Sequence, residues 1–235
     1  MPLFPPSVTR GSSQCRHNDV FESLKHQLSC KTGQESLYGL PSELAGTVID
    51  DLEQVRIKQA PPVITNNVNK GSREDSGLCA SDRETFCMVL RKMCCKHKLL
   101  PSSYAITNEL ERIEELPRRR GGSADVFCGW YRGSEVAIKR ICHSSNRTNV
   151  EKVCFPVSLF QNSDVLTRAR QRFCHEVVLW KHFRHPNLLP LLGATKSSDT
   201  LMMVSEWMEN GTIMDFITAC PQTNRLKLVS ILQKT

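Results

Sequence analysis

The feature that most constrains the fold of this chain is a pair of strand-like runs separated by a glycine-containing turn. Residues 126–131 (VFCGWY) and 136–141 (VAIKRI) are rich in β-branched and aromatic side chains, and Arg132-Gly133 lies between them. Runs of this kind on either side of a short turn predict a β-hairpin. Because the side chains of a strand alternate between its two faces, the hairpin also fixes which residues share a surface.

Further strands and helices follow the hairpin. The segments Leu188–Ala194 and Leu201–Trp207 have the apolar character of strands, whereas residues 168–184 return to a helical pattern. Shorter helical segments are predicted at Met214–Ile217 and Leu226–Leu232. The second half of the chain is therefore expected to be a domain that mixes strands and helices.

The first half has a different texture. Residues 1–35 show no sustained periodicity and are expected to be mostly disordered. Residues 36–115 are interpreted as a helical leader in which residues 59–80, with their Pro, Asn, Ser and Gly content, form a linker.

Apolar spacing defines the faces of the two leader helices. In the helix predicted around Leu40–Ile57, the core-facing residues step by four, four and three; they are Leu44, Val48, Leu52 and Val55. In the helix predicted from Ser81, they are Phe86, Val89, Leu90 and Met93. Helices this short need a partner surface, so we expect both to be packed.

Composition excludes several classes of protein. No run approaches the roughly 18 apolar residues that a membrane-crossing helix requires, and residues 1–6 (MPLFPP) lack the basic start and apolar stretch of a secretory signal. The 11 cysteines are odd in number and contain no Cys-x-x-Cys pair. They are expected to be reduced thiols of a cytoplasmic protein, without a structural metal site.

The net charge of +7 does not indicate nucleic acid as a partner. The basic excess lies in residues 117–235, which hold 17 Lys and Arg against 9 Asp and Glu. These residues do not cluster beyond Arg118-Arg119-Arg120, and no aromatic side chains alternate with them as base-stacking platforms. A solvated basic surface is the favoured interpretation, and neither nucleic acid nor a membrane is expected to bind.

The hairpin carries a lysine in a context that resembles the N-terminal lobe of a protein kinase. Val136-Ala137-Ile138-Lys139 follows a glycine-containing loop, and the next helix bears Glu176, nine residues before His185-Pro186-Asn187. The resemblance implies that Lys139 contacts the α- and β-phosphates of ATP and that Glu176 holds it in place. Each motif alone has an ordinary explanation, such as a strand that ends in an exposed lysine, but their order along residues 117–233 favours the kinase lobe.

The segment after the last strand resembles a kinase hinge (residues 205–211, SEWMENG). There Ser205 takes the gatekeeper position, Glu206 and Met208 offer backbone groups to adenine, and Val126 and Ala137 cover the base. The residues that the resemblance assigns to ATP binding are Gly121, Gly122, Ala124, Val126, Ala137, Lys139, Glu176, Ser205, Glu206 and Met208. The implied fold is α+β: a helical leader, then a five-stranded antiparallel sheet with one packed C-helix.

The glycine-rich loop departs from the kinase pattern. With Val126 as its valine, Arg119, Gly121 and Ala124 occupy the three glycine positions, and Gly122 adds freedom beside the second. Arg119 replaces a turn glycine with a side chain. Its guanidinium is also able to help hold phosphate.

The interval between Lys139 and Glu176 is longer than kinases usually have. The segment Cys154–Ala169 interrupts an otherwise polar loop, and removing its 16 residues leaves a spacing of 21. One hypothesis is a retained intron in the gene; the other is a genuine disordered insert in a loop.

The resemblance is more specific at several segments. Residues 42–55, 78–106, 172–193 and 204–217 are similar to kinases of the tyrosine-kinase-like group, of fungal type. Such a kinase would be Ser/Thr-directed and act on a protein substrate, with Mg²⁺ expected only in a full-length enzyme.

The catalytic half of a kinase is missing from the sequence. It contains no His-Arg-Asp and no Asp-Phe-Gly motif, so residues 116–235 are interpreted as a truncated kinase domain comprising N-lobe, hinge and the start of the C-lobe. We expect a kinase by family that is inactive as it stands, with no catalytic residue in this chain. The alternatives are a non-catalytic, pseudokinase-like module that binds nucleotide or a partner kinase, and a fragment without stable function.

Overall fold

The structure, a computed structural model, describes residues 13–58, 80–106, 110–121, 124–141, 163–183, 185–196 and 200–225. By its internal contacts the chain divides between His97 and Lys98 into two units. The Leu226–Leu232 helix, the linker up to residue 79 and most of the interval between Lys139 and Glu176 lie outside the described residues. No helix within the described ranges is long and apolar enough to cross a membrane.

The described part of the first unit contains four helices: α1 (Ser13–Leu28), α2 (Lys31–Tyr38), α3 (Ser42–Lys58) and α4 (Ala80–His97). Residues 13–28 and 31–38 are therefore helical, whereas the sequence pattern predicts mostly disorder up to residue 35. Burial explains the difference, because Leu24, Leu28 and Leu37 are removed from solvent in this unit. Three buried leucines are too few and too widely spaced to give a clear periodic signal.

The contact between α3 and α4 forms most of the first unit's core. All four apolar residues predicted for α4, Phe86, Val89, Leu90 and Met93, are buried. In α3 the predicted face is wrong at one position: Leu44 is 45% exposed, and Ala45 and Ile49 lie in the core beside Val48, Leu52 and Val55. Steps of three and four both follow a helical stripe, so the spacing alone does not fix its edge.

An antiparallel sheet forms most of the second unit. Its strands are β1 (Leu110–Ile113), β2 (Arg119–Arg120), β3 (Ala124–Tyr131), β4 (Ser134–Ile141), β5 (Leu191–Lys196) and β6 (Leu201–Glu206). Five of them follow the order β1-β3-β4-β6-β5, and β2 pairs with β3. The helices of this unit are α5 (Ser163–His182) and α6 (Ile213–Ala219). The predicted α+β fold is thus confirmed, with β2 as an additional two-residue strand.

The predicted hairpin is formed by β3 and β4. Cys128 lies opposite Ala137 and Tyr131 opposite Ser134, so a two-residue turn connects the strands. Both turn residues have positive φ, 52° at Arg132 and 76° at Gly133. This geometry matches the twist of the flanking strands, which explains why glycine is favoured in the turn.

The two faces of the sheet differ in burial. Phe127, Val136, Ile138 and Val204 form a buried apolar cluster together with Ile106. Because neighbouring side chains of β4 point to opposite faces, Ala137 and Lys139 lie on the other face. The helix α5 buries its own apolar stripe, which comprises Phe173, Cys174, Val177 and Val178.

A short segment before β1 belongs to the second unit. Residues 101–106, which we call the strap, contain a 3₁₀ turn at Ser102–Tyr104 and then pair with β5 through a parallel bridge between Ala105 and Ala194. The sequence pattern predicts it as part of the leader, residues 36–115. Its Tyr104 and Ile106 are buried, and the backbone nitrogen of Ile106 donates to the carbonyl of Ala194 at 3.0 Å.

Candidate nucleotide-binding site

Lys139 and Glu176 meet in the structure. The Lys139 ammonium on β4 donates to the Glu176 carboxylate on α5, although 37 positions separate the two residues in the chain. Their side chains remain 32% and 42% exposed, so solvent and a ligand can reach the pair. An accessible ammonium oriented by a carboxylate is a suitable partner for the oxygens of a phosphate.

The position of Glu176 follows from the helix that carries it. Cys174 and Val177 on either side of it are buried, which holds α5 against the sheet. Glu176 lies at the edge of this buried stripe and is therefore directed to the boundary with solvent. The first residues of α5, from Ser163, belong to the segment Cys154–Ala169 that was considered as an intron or a disordered insert. Seven of those residues are helical; the intron hypothesis stays a prediction.

The residues predicted to surround adenine lie on neighbouring strands. Ser205 at the end of β6 is opposite Ala137 on β4 and Leu191 on β5, and it is 4% exposed. Glu206 lies opposite Val136 and is exposed, and the backbone nitrogen of Trp207 donates to the carbonyl of Glu135 at 3.3 Å. The sheet therefore ends at the hinge segment.

Beyond the sheet edge, the hinge side chain of Met208 is exposed. Val126 lies on β3 directly opposite Lys139 in the strand register, and both Val126 and Ala137 are only partly buried. The structure thus brings Val126, Ala137 and Lys139 together on one part of the hairpin.

Gly121 and Ala124, on either side of the β2–β3 connection, approach each other closely. The backbone nitrogen of Gly121 donates to the carbonyl of Ala124 at 2.9 Å. A Cβ at Gly121 would lie 2.6 Å from that same carbonyl oxygen, so the close approach requires glycine. Gly122 lies outside the described residues.

Arg119 has a partner that sequence reasoning missed. Its guanidinium donates to the Asp215 carboxylate on α6 at 2.5 Å. Asp215 also accepts from the backbone nitrogen of Thr212 at 2.8 Å and from the Thr212 hydroxyl at 2.7 Å, while Thr212 caps α6. The Arg119 guanidinium first, and then the Thr212 donors, lower the pKa of Asp215 to about 2. The guanidinium is thus engaged by a carboxylate rather than free for phosphate.

The sequence contains a local signal for the contact between Thr212 and Asp215, although not for the ion pair with Arg119. Thr212-x-x-Asp215 has the spacing of a capping box, which predicts a helix start and a carboxylate fixed at it. The ion pair itself joins residues 96 positions apart, and spacing cannot reveal such a contact. Gly211 precedes the cap with a φ of 66°.

Comparison with known protein families agrees with the fold. The family described as protein tyrosine and serine/threonine kinase matches residues 120–234. This range includes the hairpin, α5, the hinge segment and α6, and begins next to the glycine-containing turn.

Individual relatives are kinases from plants and animals. The chain is 28% identical over 120 residues to the L-type lectin-domain containing receptor kinase I.7 of Arabidopsis thaliana, which covers 49% of this chain and 14% of that protein. It is 28% identical over 114 residues to the Cysteine-rich receptor-like protein kinase 7 of the same plant, covering 48% and 14%. With the Tyrosine-protein kinase Src64B of Drosophila melanogaster it shares 25% over 142 residues, covering 56% and 21%.

The matched region is thus a small part of each of these relatives, and about half of this chain. The family match covers the strands β3 to β6. It also covers the ion pair between Lys139 on β4 and Glu176 on α5. Residues 120–234 of this chain thus match the family of protein tyrosine and serine/threonine kinases.

Proposed function

We propose that the second unit binds ATP between the hairpin, the hinge segment and α6. The observation that carries the proposal is the ion pair between Lys139 and Glu176, which presents an accessible ammonium on the sheet. In this proposal Lys139 contacts the α- and β-phosphates. Glu176 limits the positions that the lysine side chain can adopt, which lowers the entropic cost of binding.

Adenine is proposed to lie against Val126 and Ala137, with backbone groups of Glu206 and Met208 as hydrogen-bond partners. Val126 on β3 and Ala137 on the paired strand β4 are both partly buried, which supports this placement. Ser205, buried beside Ala137, is the proposed gatekeeper behind the base. Gly121 and Ala124 are proposed to lie above the phosphates, with Gly122 as part of the same loop.

We further propose that the chain belongs to the tyrosine-kinase-like group, of fungal type, and derives from a Ser/Thr-directed enzyme with protein substrates. The support is the similarity of residues 42–55 and 78–106 to leader segments of that group. Receptor-like kinases among the relatives are compatible with it.

The polypeptide of 235 residues is proposed to bind nucleotide without transferring phosphate. Phosphoryl transfer by a kinase uses an Asp that accepts the substrate proton and an Asp that holds Mg²⁺, and the sequence has neither His-Arg-Asp nor Asp-Phe-Gly. Within the described ranges, no three His, Cys, Asp or Glu side chains are grouped as a metal site. The Asp-Phe-Gly carboxylate that holds Mg²⁺ in a kinase is missing from the given sequence, so no step is assigned to Mg²⁺.

A second candidate function is a non-catalytic module that binds another protein, such as a kinase. Ile213 and Met214 on α6 are exposed apolar side chains and favour a protein contact there. This candidate requires no nucleotide. Nucleotide binding therefore separates the two proposals.

The test is a titration of the full chain with a fluorescent ATP analogue, with and without Mg²⁺. We expect saturable binding that unlabelled ATP displaces. Lys139→Met should weaken binding by about tenfold or more, because a hydrogen bond to a charged group is worth about 1.5–3 kcal/mol. Lys92→Met, which removes an ammonium near the Tyr38 ring in the first unit, is the matched control and should bind normally. Saturable binding that is equal in Lys139→Met, or none from a folded chain, would refute the proposal.

A further inference from the structure

We propose that the strap and Lys181 position α5 on the sheet and thereby keep Glu176 within reach of Lys139. Tyr104 and Lys181 are then positioning residues that act through Glu176. The effect on nucleotide binding rests on the proposed function above, whereas the effect on α5 does not.

The argument begins with the edge of the sheet. Among the strands of the described residues, β5 is last in the order, so one side of its backbone pairs with no further strand there. Its register with β6 shifts between Leu191 and Gly193. Edge strands with irregular pairing need other partners for their backbone groups.

Lys181 supplies two of these partners from α5. Its ammonium donates to the carbonyl of Leu191 at 3.1 Å and to the carbonyl of Leu192 at 2.9 Å, the two residues at the register shift. From the preceding residue of α5, the indole nitrogen of Trp180 donates to the carbonyl of Leu189 at 2.7 Å. The C-terminal end of α5 is thus bonded directly to the backbone that leads into β5.

The strap also contacts the Lys181 ammonium, through the ring of Tyr104. The Lys181 ammonium lies 5.7 Å from the centre of the Tyr104 ring, which is 1% exposed. A cation this close to an aromatic face is attracted by it, and the attraction increases when both groups are removed from water. Tyr104 therefore favours the lysine position from which both carbonyls are reached.

The strap is itself fixed to β5. Ile106 belongs to the apolar cluster of the sheet, and its nitrogen donates to the Ala194 carbonyl. At Gly193 the approach is so close that a Cβ would lie 2.7 Å from the carbonyl oxygen of Tyr104. The strap, β5 and α5 are consequently three elements joined at one place.

Glu176 and Lys181 leave the same helix five residues apart, at about 140° around the axis and about 7.5 Å along it. Two contacts at different angles, one to β4 and one to β5, fix both the rotation and the axial position of α5. If the contact at Lys181 is lost, rotation of the helix moves Glu176 away from Lys139. This links the strap to the geometry of the Lys139–Glu176 pair.

The test compares four full-length proteins: the parent chain, Lys181→Met, Glu176→Gln and the variant that carries both substitutions. Affinity for the fluorescent ATP analogue is measured for all four proteins, and amide hydrogen exchange is measured across α5. We expect Lys181→Met to weaken binding severalfold when Glu176 is present and to add no further loss in Glu176→Gln. Exchange within α5 should become faster. Lys181→Arg retains a cation and should restore both readouts.

A merely structural role would not produce this pattern, because it would weaken binding equally in both backgrounds. Equal losses, or unchanged affinity together with unchanged exchange, would overturn the proposal. If the parent chain does not bind the analogue, the proposed function fails, and the exchange of α5 decides the positioning role alone. Should Lys181→Met fail to fold, Tyr104→Leu, which removes the aromatic face and keeps the lysine, gives the same test.

Discussion

The Arg119 guanidinium donates to the Asp215 carboxylate at 2.5 Å and so joins strand β2 to the first turn of α6. This contact, together with the Thr212 donors, lowers the pKa of Asp215 from 3.8 to about 2. Because the pKa is lower in the folded chain, the contact stabilises the fold above about pH 4 and loses its effect as the pH falls toward about 2. Both side chains are substantially exposed, so solvent and salt weaken the interaction.

Replacing Arg119 should therefore change the titration of Asp215. We expect Arg119→Gln to raise the pKa of Asp215 toward its ordinary value, since the guanidinium is the largest cause of the shift. The measurement is a carboxyl-carbon NMR titration. Arg120→Gln, one residue further along the same strand, is the control and should leave the titration as it was. An Asp215 pKa that stays low in Arg119→Gln would show that the helix cap alone is responsible.

Gly193 should not tolerate a larger side chain. A Cβ there would lie 2.6 Å from the Ile106 side chain and 2.7 Å from the Tyr104 carbonyl, so the strap must move. We expect Gly193→Ala to lower the free energy of unfolding of the second unit by about 1–3 kcal/mol. Denaturant unfolding measures this change. In Gly39→Ala the nearest atoms would be 3.5 Å away at a φ of −76°, so this control should be close to neutral, and an equally small loss at Gly193 would contradict the packing described here.

The thiols of the first unit should differ in reactivity. Burial raises the pKa of Cys87 to about 11, and Cys94 is fully buried, whereas Cys30 is exposed. The thiolate is the reactive form, and at pH 8 only about one Cys87 side chain in a thousand carries it. Mass spectrometry after brief treatment with iodoacetamide should find Cys30 alkylated well before Cys87 and Cys94. Rapid modification of Cys87 in the folded chain would contradict its burial.

Removing one partner of the buried ion pair in α3 should lower the free energy of unfolding substantially. Glu53 is 1% exposed and accepts from the Arg56 guanidinium at 2.6 and 2.5 Å. Glu53→Ala leaves the arginine charge without this carboxylate and should cost about 3–5 kcal/mol of unfolding free energy. Its exposed neighbour offers the control, because Gln54→Ala should change stability by less than about 0.5 kcal/mol. Similar losses in the two variants would contradict the role of the pair.

What the sequence could predict follows from the range of the interactions involved. The β3–β4 hairpin and the buried face of α4 depend on neighbours a few residues apart, and both were predicted. The meeting of Lys139 with Glu176 was expected only through the kinase resemblance, because no spacing rule relates residues so far apart. Contacts such as that of Lys181 with the bulged part of β5 depend on an edge strand whose irregularity leaves no trace in the local pattern.

In the first unit, the sequence pattern did not predict the helix α1. The helix α1 has few apolar residues, and its burial depends on surfaces that α2, α3 and α4 supply. A chain segment of this kind has weak helical periodicity by itself, so tertiary contacts decide its structure. The same reasoning explains why the stripe of α3 was predicted with Leu44 in place of Ala45.

The most direct measurement of the central claim is labelling of the full chain with an acyl phosphate of ATP, followed by mapping of the modified lysine. The lysine amine attacks the acyl carbon, and ATP leaves, so only a lysine beside the bound phosphates is acylated efficiently. We predict that Lys139 is the main labelled residue, that excess ATP prevents its labelling, and that Glu176→Gln lowers it. Labelling that is spread over surface lysines and insensitive to ATP would contradict a nucleotide site at Lys139.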